Sequence, residues 1–317
     1  MPAQPSVSST RRVIYLSLAG SLVVALIKFA AATWTGSSAM LSEGVHSLVD
    51  TINECLLLYG IARAGKRADP GHPLGYGREL YFWSFIVSLL VLALGAGVSL
   101  YEGVAHLQAP QPVETSWINY LVLLLSLCCE VASGWFGFKT FRAGKGQLGY
   151  FGALHASKDP GLFIVVFGDA AALLGLLIAT VGLAAAQALQ RPEPDAVASI
   201  GVGLVLTITA ILFARETKEL LIGEAALPEV RESLLRITEA DSDVCHANAV
   251  MTVQMGPSQV FAAMSVEFRD GLTTTGIELC VSRLESAIKD AHHEVVAIFV
   301  RPQTREAWLA RIGKAAS

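Results

Sequence analysis

His46 and Asp50 stand four residues apart inside the stretch SAMLSEGVHSLVDTINECLLLYG, residues 38–60. On a helix both side chains share one face, and Asn53 and Glu54 continue that face by another turn. A neutral imidazole and a carboxylate so placed can point at a single divalent cation. The stretch is also long and apolar enough to cross a bilayer. A charged side chain at that depth costs roughly 3 kcal/mol on insertion scales, so such residues usually face a bundle interior or a water path and carry function. The competing reading is a polar pair that only hydrogen-bonds a neighbouring helix, its charge neutralised by a pKa shift.

The composition says what must position that pair. Hydrophobic residues make up 53% of the 317 and charged residues 16%, too apolar for an ordinary soluble protein. Polar residues crowd into short loops and the C-terminal third, which predicts a membrane domain followed by a small soluble one. The five cysteines, Cys55, Cys128, Cys129, Cys245 and Cys280, form no C-x-x-C pair, so neither a disulfide framework nor a thiolate zinc site is indicated.

Six apolar runs read as membrane spans, over residues 13–34, 38–60, 80–102, 117–138, 161–189 and 196–214. The first follows a polar tail ending in Arg11-Arg12 and lacks a small-residue cleavage site, so it reads as a span and not a signal peptide. Lys28 in this span can snorkel or pair with an acid such as Glu43. Arg11, Arg12, Arg63, Lys66, Arg67, Arg78, Lys139, Arg142, Lys145, Arg215 and Lys218 fall on one side of such a model and only Arg191 on the other, which predicts cytoplasmic termini. The absence of an Arg- and Ser-rich amphipathic presequence favours a bacterial plasma (inner) membrane over an organelle.

From about residue 227 the pattern changes to helix, two strands around Gly256-Pro257-Ser258, helix and strand. The expected fold is therefore an α-helical polytopic membrane protein with six transmembrane helices and a C-terminal cytoplasmic α+β domain of αββαβ, ferredoxin-like order. Its divisions are a tail over 1–12, a membrane domain over 13–214 and a dimerisation domain with tail over 215–317. Two helices on one small sheet leave an apolar face that a twin domain would cover, hence a homodimer.

SSAMLSEGVHSLVD in the second span, DPGHPLGYGRE in the following loop, the six spans and the αββαβ tail together resemble the cation diffusion facilitator family of divalent-metal transporters. The resemblance covers nearly the whole chain, and GRELYFWSF with SKDP and GDAAALLG resembles the branch containing a mitochondrial zinc exporter. It implies efflux of zinc or a similar cation in exchange for protons, through a tetrahedral site shared by the second and fifth spans. It also implies that His46 and Asp50 form the second-span half. No resident cofactor, no nucleic-acid partner and no enzymatic constellation such as H-E-x-x-H or G-x-S-x-G is indicated.

For the fifth-span half, His155 and Asp159 repeat the H-x-x-x-D spacing, and Asp169 is the other candidate. Asp50 lies roughly 20 Å from the outer end of its helix, Asp159 roughly 45 Å from the outer end of the fifth and Asp169 roughly 30 Å, at 1.5 Å per residue. Depth selects Asp169. Val165 then takes the place of the family's usual histidine, so Asn53, Glu130 or water completes the shell. His155 and Asp159 become a cytoplasmic entrance or a helix cap. Asp69 and His72 match two ligands of a lesser loop site whose third position is Tyr76, and the loop's Pro and Gly residues offer a purely structural reading. In the soluble domain the family's metal positions fall on Asn248, Ser265, Glu278 and Arg301, so no dinuclear site is expected. Two rivals keep the same frame: a carrier of manganese, cobalt or iron, and a membrane scaffold or sensor that has lost transport.

Overall fold

The computed structural model describes residues 7–35, 38–109, 117–144 and 158–315. It divides into two compact units, Met1–Gly65 with Glu79–Lys218, and Lys66–Arg78 with Glu219–Ser317.

In the first unit, α1 (Val7–Thr35) and α2 (Ser38–Ala64) pair closely, and α1 also packs on α4 (Trp117–Gly144) and α5 (Pro160–Leu189). α3 (Glu79–Gln108) lies against α2 and α5, and α6 (Glu193–Ile222) follows the short loop after α5. Each of the six expected runs is helical and most run longer at their ends, because polar and charged residues beyond the apolar run still favour the helix. Among the described residues, α3, α4, α5, α6 and most of α1 are long and apolar enough to cross a membrane. At 27 residues α2 spans roughly 40 Å. It falls short of the others in apolarity because Asp50, Asn53 and Glu54 interrupt it.

The inner contacts of this unit come from Ile14, Leu57, Leu80, Val87, Leu162, Phe163 and Phe213, all under 6% exposed. Leu124, Leu177, Val181 and Ile208 are more than half exposed, the arrangement expected where hydrocarbon and not water surrounds the helices. α3 and α6 approach most tightly at Gly103, where a Cβ would meet the Ile200 backbone nitrogen at 2.9 Å. Between Val91 and Ala96, α3 widens into a π-helical turn, a local irregularity that often marks a functional wall.

In the second unit, α7 (Pro228–Glu239), β1 (Val244–Gly256), β2 (Gln259–Phe268), α8 (Thr274–Ala291) and β3 (Val295–Pro302) realise the αββαβ order. β1 and β2 pair antiparallel across the two-residue turn, β2 and β3 pair parallel, and the sheet order is β1-β2-β3. Pro228 starts α7 with its φ already helical, and Thr273 caps α8 by accepting from the Gly276 amide at 3.1 Å. Leu234, Leu284, Ile288 and Val266 fill the space between helices and sheet. A further helix, α9 (Arg305–Ala315), extends the expected order. Residues 66–78 cluster with this unit, Gly77 lying flat against the Met255 carbonyl with no room for a side chain.

Candidate functional site

A cavity of about 230 Å³ runs through the first unit. Its described lining includes Asp50, Asn53 and Glu54 of α2, Asp169 of α5, Glu130 of α4, Glu102 of α3 and Asp195 of α6. Against these six carboxylates stands one ammonium, that of Lys28. Such a space favours a cation over an anion or a neutral solute. Val91, in the π-helical turn of α3, forms part of its wall.

Asp50 and Asp169, on separate helices, both reach this cavity. The Asp169 carboxylate is 9% exposed and accepts from Ser133 Oγ of α4 at 3.0 Å. One turn beyond Asp50, Glu54 accepts from Ser17 Oγ and, at 3.0 Å, from Ser21 Oγ, both on α1. Lys28 donates to Ser47 Oγ at 2.9 Å; the side chain of Glu43, its anticipated partner, lies outside the described ones. His46 occupies the turn of α2 before Asp50, and its side chain also lies outside the described ones. Asn53 is 6% exposed and Val165 4%. Both line the cavity.

Asp159 sits at the opening of α5, where its side chain accepts from the Gly161 and Leu162 amides at 3.1 and 3.4 Å. It caps the helix at its N-terminus, ten residues before Asp169. His155 lies outside the described residues.

In the loop, the Asp69 carboxylate accepts from Tyr76 Oη at 2.7 Å, His72 N at 2.8 Å and Gly71 N at 2.9 Å. These bonds, that of Tyr76 first, hold its carboxyl below the usual aspartate value. The His72 and Tyr76 rings lie 4.2 Å apart and His72 Nδ1 is 3.6 Å from Asp69 Oδ1. Asp69 and His72 are thus neighbours, with the carboxylate already shaping the turn.

In the soluble unit, Asn248 donates to the Gln303 carbonyl at 2.9 Å and to Ser265 Oγ at 3.4 Å, while Ser265 stands opposite Arg301 in the β2–β3 register. Asp241, Asp243 and Cys280 bring three ligand atoms within 4.8 Å of one another. The Arg283 guanidinium occupies that spot, bonding Asp241 at 2.9 and 3.1 Å and Asp243 at 2.7 Å. A cation there would compete with a fixed one.

The model of the cation efflux transmembrane domain matches residues 14–222. The chain belongs to the cation efflux family. This cation efflux chain is 34% identical over 250 residues to the proton-coupled zinc antiporter SLC30A9, mitochondrial, of Xenopus laevis, covering 78% of this chain and 44% of that protein. It is 29% identical over 262 residues to metal tolerance protein C4 of Arabidopsis thaliana, covering 82% and 57%. With the cation-efflux pump FieF of Citrobacter koseri it shares 26% over 280 residues, covering 88% and 87%. The chain spans about half the length of the SLC30A9 relatives it matches. These relatives are named as an antiporter, a tolerance protein and a pump, not as enzymes. With its apolar helices, the family match makes the chain a multi-pass integral membrane protein.

Ser17, Ser21 and Ser133 were not singled out from sequence, since each meets its carboxylate across 33 to 37 residues of chain. Glu54 was visible on the His46 face and carried its own signal, an uncompensated acid in an apolar helix. Glu102 and Asp195 lie near span ends, where an acid is ordinarily solvated.

Proposed function

We propose that this chain moves a divalent cation, zinc foremost, out of the cytoplasm in exchange for protons, with His46 and Asp50 of α2 and Asp169 of α5 as ligands. The observation that carries the reading is the single cavity reached by Asp50 and Asp169 from two different helices, with six carboxylates and one ammonium along its described wall. The zinc antiporter named among the relatives supports the choice of ion and of counter-ion. The fourth position is open to water or to Glu130, and a three-ligand site with an open place suits zinc chemistry.

Coupling follows from competition for the same lone pairs. The imidazole and the carboxylates hold protons when the site is empty and release them as the cation binds. If the helices rock so that the cavity opens alternately to either face, an inward proton gradient drives the cation outward. Lys28, held by Ser47, offsets part of the negative charge while the site is empty.

The loop pair Asp69 and His72 serves the turn and not the cargo. The second unit joins two copies of the chain through its free sheet face, where Met251 and Phe299 are 63% and 64% exposed with Ala263 between them in register. The distribution of basic residues supports termini on the cytoplasmic side.

The test is zinc flux into proteoliposomes under an imposed pH gradient. Wild type transports and Asp50→Ala does not, although the variant remains dimeric; wild-type flux from Asp50→Ala removes the proposal. Competition with manganese, cobalt and iron in the same assay separates a zinc carrier from its nearest alternatives.

A further inference from the structure

Glu54 is absent from the ligand set above, yet its surroundings are those of a binding position. One carboxylate oxygen accepts from the Ser17 and Ser21 hydroxyls of α1. The other, Glu54 Oε2, and the neighbouring amide oxygen Asn53 Oδ1 have no hydrogen-bond partner among the described residues, on side chains 9% and 6% exposed. Both residues line the cavity. A buried acceptor left without a donor costs about 1–3 kcal/mol, and each of these two lines a cavity rich in carboxylates, where a cation would satisfy it.

Among the described residues, no three carboxylates of the cavity converge on one point. Atoms that share one ion sit about 2.0–2.6 Å from it, hence within about 5 Å of one another. Among the described residues, Asp50, Glu54 and Asp169 do not bring three oxygens within 4.8 Å of each other; only Asp241, Asp243 and Cys280 form such a group. Glu54 stands one turn along α2 from Asp50, towards Ala64, so an ion held there is a neighbour of the transport site.

We propose that Glu54, Asn53, Ser17 and Ser21 form a second cation position, one turn from Asp50, that takes a hard divalent cation through oxygen alone. A carboxylate, an amide carbonyl and two hydroxyls suit manganese or magnesium better than the imidazole-containing site does. The serine hydroxyls donate to Glu54 and keep lone pairs for the ion. An ion held there lies one turn of α2 from the transport site and offsets part of its negative charge while that site is empty. That role rests on the transport reading above, whereas the binding does not.

The experiment is a manganese titration of the full-length, detergent-purified protein, followed by the loss of the free-ion paramagnetic resonance signal, with zinc calorimetry on the same samples. Wild type is expected to bind one more manganese per chain than Glu54→Gln, and Asp50→Asn/Asp169→Asn to retain that ion. Glu54→Gln keeps its zinc isotherm, which shows that it is folded. Should it not fold, Ser21→Ala serves instead, with manganese affinity at this position about tenfold lower and zinc unchanged. Equal manganese stoichiometry in wild type and Glu54→Gln overturns the proposal, as does an unchanged manganese affinity in Ser21→Ala. Full zinc binding by Asp50→Asn/Asp169→Asn would instead remove the transport site and leave the Glu54 position standing.

Discussion

Ser133→Ala tests how the cavity holds Asp169, the proposed fifth-helix ligand. The Ser133 hydroxyl on α4 donates to Asp169 Oδ2 on α5 at 3.0 Å, and the carboxylate is 9% exposed. A hydrogen bond to a charged group is worth about 1.5–3 kcal/mol, and at about 1.4 kcal/mol per decade its full loss corresponds to about a 10- to 150-fold change. Part of that energy is felt equally with and without the cation, so the orienting share, about 10- to 100-fold in metal affinity, is the expected effect. Calorimetric titration of zinc into the detergent-purified protein measures it. Ser133→Thr, which keeps the hydroxyl, should return most of the affinity. If Ser133→Ala binds zinc as tightly as wild type while Asp169→Asn does not bind, the hydroxyl does not orient the ligand and the reasoning fails.

At Gly103 a Cβ would stand 2.6 Å from Ile200 Cγ1 and 3.0 Å from the Ala196 carbonyl. Gly103→Leu should therefore part α3 from α6 at a cost of about 1–3 kcal/mol, read as a lower thermal midpoint in detergent; Gly20→Ala, with nothing within 4 Å of the new atom, should be neutral. Hydrogen bonds from Arg283 hold the Asp241 carboxyl below its ordinary value. Its stabilising contribution is thus complete above the unfolded pKa of about 3.9 and is lost as pH falls through the lower folded value. Arg283→Ala should bring acid-induced exchange of the β1 and α8 amides to higher pH, measured by mass spectrometry; an unchanged profile would contradict the sign. Burial, then the charge of Asp241, pushes the Cys280 thiol up to about 11. Since the thiolate is the nucleophile, iodoacetamide at pH 8 should label exposed Cys245 and spare Cys280. Equal labelling would count against that burial.

Much of this arrangement is legible in the residue order because a bilayer penalises polar atoms so heavily. The six apolar runs and the one-turn spacing of His46 and Asp50 are local signals, and depth counted in residues separates Asp169, on the cavity wall, from Asp159, on the helix cap. The αββαβ tail shows for the same reason, through alternation in β1 and β2 and amphipathic spacing in α7 and α8. What the sequence hides is contact at long separation. No local pattern announces that Ser17 and Ser21 meet Glu54, or that Ser133 meets Asp169. The π-helical turn at Val91–Ala96 is equally silent, since nothing in VLALGA sets it apart from the apolar helix around it. The 66–78 loop could be read as a turn from its Pro and Gly residues, but its association with the β1–β2 hairpin depends on the close approach at Gly77.

The central claim is that Asp50 and Asp169 grasp one ion between α2 and α5. Anomalous scattering at the zinc absorption edge from metal-soaked crystals of the wild-type protein tests it most directly. A single strong peak between the two carboxylates, within bonding distance of both and lost in Asp50→Ala, is the expected result. A peak only at the loop, the soluble unit or another part of the cavity would contradict it.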